Sequence, residues 1–321
     1  MILIIGVTAS GKGRLAFDLA EWLGAEIISI DSMKVYRRMN IGTAKPPEQA
    51  RRRVKYHLID VVEPSESFSV AAFLDLANKA IKQIKSRNKP ATHMAGKPVI
   101  AVGGTALYIK ALLYGLFKGP GTNEQIRAEL KAQAQEEGLK NLYDRLTEID
   151  PAAAQRISPN DAKRIIRAME VYRITGQPIS SFQKQWAQDR GQRTEDGRQK
   201  KHDWSIIGLR REKSEENKGI NARVKRMIEQ GFVDEVRSLL AEEKPLSPQA
   251  RCAIGYAEVI DYLNGKYTLE DAIELIKKKT RRFAKSQRTW FKTFREVHWL
   301  DIAAEEPHEK ILNRAKNLGV E

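Results

Sequence analysis

The N-terminal segment constrains the fold more than any later stretch. Met1-Ile2-Leu3-Ile4-Ile5 is a short apolar, largely β-branched run, followed directly by Gly6-Val7-Thr8-Ala9-Ser10-Gly11-Lys12-Gly13. Leu15, Leu19 and Leu23 then recur at helical spacing, so the order is strand, glycine loop, helix. Such a loop aims backbone N–H groups and the positive end of a helix dipole at one point, where a diphosphate fits. Gly6 and Gly11 permit the tight turn and Lys12 reaches phosphate oxygens as a point charge. The segment matches G-x-x-x-x-G-K-[ST] at every position but the last: Gly13 removes the hydroxyl that coordinates Mg²⁺ in this pattern and weakens the first helical turn.

Further apolar runs, Glu26-Ile27-Ile28-Ser29-Ile30 ending in Asp31-Ser32 and Val99-Ile100-Ala101-Val102 ending in Gly103-Gly104-Thr105, predict buried parallel strands. Ser205 to Gly208 and Val297 to Leu300 supply later ones. Between about Leu116 and Trp204 strand-like runs give way to charged, helical text, as in Asn123 to Leu146 and Asp161 to Thr175. Asn160-Asp161 is the expected helix cap there, with Gly176 and Pro178 as the stop. The fold class is therefore α/β, a parallel sheet flanked by helices with a mostly helical insertion: residues 1–115 and 205–321 form the core domain and 116–204 the insertion. Lys89 to Gly96 reads as a loop elaboration and Gln188 to Asp203 as a surface loop.

Asp31 follows a strand, where ligands of α/β sheets bind. A carboxylate there can hold Mg²⁺, act as a general base, or cap the next turn. Gly103-Gly104-Thr105 offers close backbone approach and a hydroxyl, a weak signal alone.

The chain carries 56 Lys and Arg against 41 Asp and Glu, a formal charge of +15. A solvated surface accounts for such an excess unless the cations cluster, and here they do. Lys277, Lys278, Lys279, Arg281, Arg282, Lys285, Arg288, Lys292 and Arg295 follow one another with no acid between them. Leu269, Ile273, Ile276, Phe283, Trp290, Phe291 and Phe294 approximate an apolar stripe on the same expected helix. Arg156, Lys163, Arg164, Arg167 and Arg173 form a second basic group in the insertion. Two basic surfaces beside a phosphate loop predict an enzyme whose second substrate is itself a polyphosphate. Cys252 is the lone cysteine and the five histidines are scattered, so neither an intramolecular disulfide nor a structural metal is expected, and a reducing, cytoplasmic setting fits. No stretch approaches the roughly 20 apolar residues of a membrane span, so neither export nor membrane insertion is expected.

The residues resemble the tRNA dimethylallyltransferase (IPP transferase) family over nearly the whole chain. Besides the loop, the resemblance rests on Asp31-Ser32 with Val35-Tyr36, on Ile41-Gly42-Thr43-Ala44-Lys45-Pro46, and on Tyr56-His57-Leu58-Ile59-Asp60. It continues through Gly103-Gly104-Thr105-Ala106-Leu107-Tyr108, Asp150-Pro151, Pro159-Asn160-Asp161, Arg167-Ala168-Met169-Glu170, Gly255-Tyr256 and Thr280-Arg281-Arg282-Phe283-Ala284-Lys285. It implies a P-loop NTPase-like core and transfer of a dimethylallyl group from dimethylallyl diphosphate to N6 of adenosine 37, in tRNAs that read codons beginning with U. The loop Thr8 to Gly13 would hold the diphosphate, with Lys12 stabilising it as it leaves, and Asp31 would take the N6 proton. Thr105 and Arg127 would contact the flipped nucleotide. Asp31, Ser32, Met33 and Lys34, then Lys163, Arg164, Ile165, Ile166 and Arg167, then Cys252, Ala253, Ile254, Gly255, Tyr256 and Ala257 would line the tRNA anticodon stem-loop. The family implies Mg²⁺ as cofactor and a monomer as the working form.

Three positions depart from the family pattern. Gly13 stands for the loop threonine, Lys34 for a glutamine, and Gly219 for an arginine that helps hold diphosphate, a role that Arg210, Arg211 or Arg223 would have to fill. Lys34 either weakens adenine recognition or adds a phosphate contact. A P-loop kinase or NTPase, a tRNA-binding relative without catalysis, and an enzyme prenylating free adenine nucleotides remain the alternatives at this point.

Overall fold

A computed structural model describes residues 1–87, 98–116, 119–183 and 204–319. The predicted loops Lys89 to Gly96 and Gln188 to Asp203 lie outside the described residues. The chain divides into two compact units, Met1–Leu113 with Lys201–Glu321, and Tyr114–Lys200.

The first unit begins with β1 (Ile2–Gly6), α1 (Lys12–Leu23), β2 (Glu26–Ile30), α2 (Glu48–Arg53), β3 (Tyr56–His57), α3 (Val70–Arg87), β4 (Val99–Gly103) and α4 (Ala106–Tyr114). Its strands pair in the order β3-β2-β4-β1, and every pair is parallel. Strands covered on both faces read as continuous apolar runs, and β1 and β4 are buried throughout. The register does the functional work. Ile5 and Ile30 both stand opposite Gly103, so the next residues, Gly6, Gly104 and Asp31, leave three adjacent strands at one level. A Cβ on Gly103 would meet the Ile30 carbonyl at 1.9 Å, which explains why that level is reached only with glycine.

The helical unit contains α5 (Glu124–Glu136), α6 (Leu139–Ile149), α7 (Pro151–Ala154), α8 (Ala162–Thr175) and α9 (Ile179–Phe182). The stretch read as continuous from Asn123 is two helices, broken where Gly138 takes φ 88°. Asp161 accepts the Arg164 N–H as the cap of α8, and Gly176 ends it at φ 67°. Leu130, Leu142, Leu146, Ile165, Met169 and Val171 form this unit's own core.

The first unit resumes with β5 (Ser205–Arg211), α10 (Lys213–Glu229), α11 (Phe232–Leu240), α12 (Pro248–Arg251), α13 (Tyr256–Leu263), α14 (Leu269–Phe291), β6 (Val297–Ile302) and α15 (His308–Gly319). β5 adds beside β1 and β6 beside β5, completing a six-stranded parallel sheet. No helix of the described residues is long and apolar enough to cross a membrane.

Candidate active site

Between β1 and α1 the loop turns through Ala9 at φ 63° and Gly11 at φ 92°. The first turn of α1 has neither an acidic residue nor a side-chain cap, so its N–H groups await an external acceptor. The loop opens on a cavity of about 700 Å³, also lined by Asp31 to Lys34, Thr105, Arg223 and Cys252 to Ile254.

Five cations line this cavity; Arg14 pairs with Asp18 and Lys45 with Asp60, which leaves Lys12, Lys34 and Arg223. Lys12 Nζ donates to the Val7 carbonyl at 3.1 Å, and Arg223 donates to Thr8 Oγ1 at 2.9 Å and to the Gly42 carbonyl at 3.5 Å. Among the described residues none of these contacts is to a carboxylate. Burial, then the Lys34 and Arg223 charges, push the Lys12 ammonium down to about 7, against the pull of Asp31. Burial likewise lowers Lys34 and Arg223, with Asp31 opposing in each case. Unpaired cations packed together are costly, and their arrangement suits an anion that arrives from outside.

Asp31 is the single carboxylate lining the cavity. Its Oδ1 accepts the Met33 and Lys34 N–H groups at 2.9 and 3.3 Å, which fixes the side chain and leaves Oδ2 without a hydrogen bond among the described residues. Thr105 Oγ1 accepts the Ser32 N–H at 3.1 Å, tying the β4 turn to the β2 turn. Across the sheet ends, buried Gln287 of α14 accepts the Thr8 N–H through Oε1 at 2.9 Å and donates from Nε2 to the Gly104 carbonyl at 2.8 Å. One amide thus clamps the glycine loop to the Thr105 turn, in a space where a Cβ on Gly104 would lie 2.4 Å from Nε2.

With this arrangement in view, residues 34–294 match the family model described as IPP transferase. The chain belongs to the IPP transferase family. It is 44% identical to a tRNA dimethylallyltransferase of Geobacter metallireducens, over 94% of this chain and 92% of that one. It is 46% identical to a tRNA dimethylallyltransferase 2 of Geotalea uraniireducens, again over 94% and 92%. Among solved structures it is similar to the full-length tRNA isopentenylpyrophosphate transferase of Bacillus halodurans, with 37% identity, a TM-score of 0.68, and 98% and 94% of the two chains covered. It is also similar to a eukaryotic dimethylallyltransferase captured acting on tRNA, with 27% identity, a TM-score of 0.73, and 94% and 73% covered. The all-parallel sheet with its glycine loop after β1 is the P-loop NTPase-like fold of this family.

The cavity gathers many of the residues that the family resemblance singled out: Thr8 to Gly13, Asp31 to Lys34, Thr105, Cys252, Ala253, Ile254 and Tyr256. Gly6 and Val7 stand behind the loop, and Gly255 and Ala257 are not on the cavity wall. In the helical unit, Arg127 and Arg167 both pair with fully buried Glu170, at 3.0 and 2.6 Å, while Arg164 pairs with Asp161 at 3.4 Å. Ile165 and Ile166 are 0% and 8% exposed within that unit's core, so their side chains pack and do not face solvent. Lys163 alone in that segment is an exposed cation without an ion pair among the described residues.

The basic segment is also corrected in detail. α14 ends at Phe291, so Lys292 is its C-cap and Arg295 lies beyond it. Phe283 is not on the apolar stripe: it is 42% exposed and lines the cavity. Lys277, Lys279 and Arg288 pair with Glu274, Glu258 and Glu216, and Arg281 donates to Asn221 Oδ1, leaving Lys278, Arg282, Lys285, Lys292 and Arg295 exposed without an ion pair among the described residues.

Of the arginines proposed to replace one at position 219, Arg223 fits the cavity. Gly219 faces the loop, its absent Cβ 3.5 Å from Ala9, and Arg223 lies one helical turn further along α10 on the same side. Arg210 is occupied by Asp301, and Arg211 holds the Ser10 and Ala303 carbonyls. The residues do not fit a protein-held Mg²⁺. Position 13 offers no side-chain oxygen, the cavity wall carries one carboxylate, Asp31, among five cations, and no metal-binding cluster of acidic, histidine or cysteine residues occurs among the described residues.

Proposed function

We propose that this chain transfers a dimethylallyl group from dimethylallyl diphosphate to N6 of adenosine 37 in tRNA, releasing diphosphate. The observation that carries the reading is the set of three unpaired cations facing a single fixed carboxylate across one cavity. The names of the relatives, tRNA dimethylallyltransferases with more than 40% identity over nearly all of the chain, support the substrates.

The diphosphate sits on the N–H groups of the loop and α1, between Lys12 and Arg223. The adenine amino group approaches Asp31 Oδ2 near Thr105. N6 bonds to the allylic C1 as the C1–O bond breaks, Asp31 accepts the N6 proton, and the electron pair leaves on the diphosphate. Preorganised N–H donors and cations stabilise that developing charge, and Gln287 holds the donor and acceptor sides in register as a positioning residue. The adenine must leave the anticodon-loop stack to reach this depth. Lys278, Arg282 and Lys285 on α14, and Lys163 in the helical unit, meet RNA phosphates, and one chain suffices as the working unit.

The test is incubation of the purified protein with dimethylallyl diphosphate and an anticodon stem-loop carrying a run of adenosines centred on adenosine 37, followed by nucleoside mass spectrometry. A dimethylallyl gain on the central adenosine is expected. Tight RNA binding with no gain would instead identify a tRNA-binding relative without catalysis, and ATP hydrolysis without transfer would identify an NTPase.

A further inference from the structure

We infer that Lys34 supplies, as a fixed ammonium, the positive charge that the hydroxyl-held divalent cation of a complete phosphate loop would bring, so that diphosphate binding here does not require a metal ion. The inference rests on the phosphate-loop reading above and assigns the source of the neutralising charge.

Two features of the cavity lead to it. At position 13 there is no side chain, and a Cβ built there meets nothing within 4 Å, so the place of the missing hydroxyl is open space beside the first turn of α1. Lys34 lines the same cavity, and its backbone is tied down on both sides: its N–H reaches Asp31 Oδ1 at 3.3 Å, and its carbonyl accepts the Asp60 N–H at 3.2 Å. Its ammonium has no hydrogen bond or ion pair among the described residues, although burial makes a bare charge there expensive. Neighbouring Lys45 shows what a structural lysine does in this fold. Its buried ammonium is fully engaged by the Tyr36 carbonyl at 2.5 Å, Asn40 Oδ1 at 3.0 Å and Asp60 Oδ1 at 2.5 Å.

Lys12, Lys34 and Arg223 line one cavity, and the Lys34 and Arg223 charges both disfavour protonation of Lys12. A divalent cation entering that space would meet the like charges of Lys12, Lys34 and Arg223 and a single carboxylate, and like charges repel. An anionic diphosphate meets the reverse. Lysine at 34 brings a positive charge to the wall and glycine at 13 leaves no hydroxyl for a metal, and both favour the bare anion.

Calorimetric titration of the full chain with inorganic diphosphate, in EDTA and in Mg²⁺, separates the cases. The expected result is binding in EDTA within about threefold of that in Mg²⁺. In Lys34→Gln, binding in EDTA weakens by about tenfold or more, the scale of one charge-assisted contact. Lys34→Arg, which keeps the charge, retains binding, and it does so even if Lys34→Gln proves poorly folded by circular dichroism. The double variant Gly13→Thr with Lys34→Gln binds in Mg²⁺ and not in EDTA. Wild-type binding that vanishes in EDTA and returns with Mg²⁺ overturns the inference, as does a folded Lys34→Gln that binds normally in EDTA. Absence of binding in both buffers overturns the phosphate-loop reading itself, and this inference with it.

Discussion

Replacing Lys12 by methionine should stabilise the folded protein while disabling its diphosphate site. The folded state holds this ammonium down from 10.5 to about 7, chiefly through burial and then through the Lys34 and Arg223 charges. Between those pH values the unfolded chain binds a proton that the folded chain does not, so unfolding takes up a proton and stability rises with pH across the window. Below about pH 7 the penalty is present in full. At pH 7 it amounts to roughly 4 kcal/mol, and by pH 9.5 to roughly 1 kcal/mol, from 1.36 kcal/mol per pH unit. Methionine has a similar length and no charge, so the variant should exceed wild type by about those amounts at the two pH values. Urea unfolding of both proteins in buffers free of phosphate and sulfate measures this, since a bound anion would neutralise Lys12 and hide the effect. A Lys12→Met protein less stable than wild type at pH 7, or a difference that does not shrink by pH 9.5, would refute the reasoning.

Other consequences follow from individual contacts. Asp31→Asn should abolish transfer while leaving anticodon stem-loop affinity within about threefold, because only the proton acceptor is lost; nucleoside mass spectrometry with a parallel RNA-binding measurement checks both halves. Gln287→Leu removes the acceptor of the Thr8 N–H and the donor to the Gly104 carbonyl, both buried, and should cost about 2 to 4 kcal/mol in denaturant unfolding. Glu235→Ala should destabilise by about 2 kcal/mol in the same assay, since that carboxylate accepts the Asn40, Ile41 and Gly42 N–H groups and the Tyr256 hydroxyl. RNA affinity should fall steeply with salt, and converting Arg282 and Lys285 to alanine should lower the log–log slope by roughly 0.7 to 0.9 for each phosphate contact removed; an unchanged slope places those contacts elsewhere.

Some features are legible in the sequence because one local rule governs them. Parallel strands buried on both faces are apolar runs whatever surrounds them, so β1, β2, β4 and β5 can be read directly. The cap Asp161 and the stop Gly176 obey local backbone rules as well. β3 is different: Tyr56 and His57 are two residues at the sheet edge, too short for any periodicity, and pair only because β2 is already in place.

The same division runs through the site. Sequence alone determined that a phosphate loop leads into a helix, that its last position lacks a hydroxyl, and that Asp31 and Thr105 each end a strand, because these depend on neighbours in the chain. Tertiary structure decided which groups meet. Gln287 lies among cations on a long helix and looks like any solvated polar residue until β1 and β4 come beside it. Arg127 and Arg167 read as free cations until α5 and α8 pack and bury Glu170 between them. Arg223 and Lys34 are ordinary surface types in sequence, and only the fold brings them together with Lys12 in one cavity. The physical reason is range: backbone conformation is settled within a few residues, whereas a charge acquires its role from whatever the fold packs beside it, often far along the chain, once burial removes the water that would otherwise screen it.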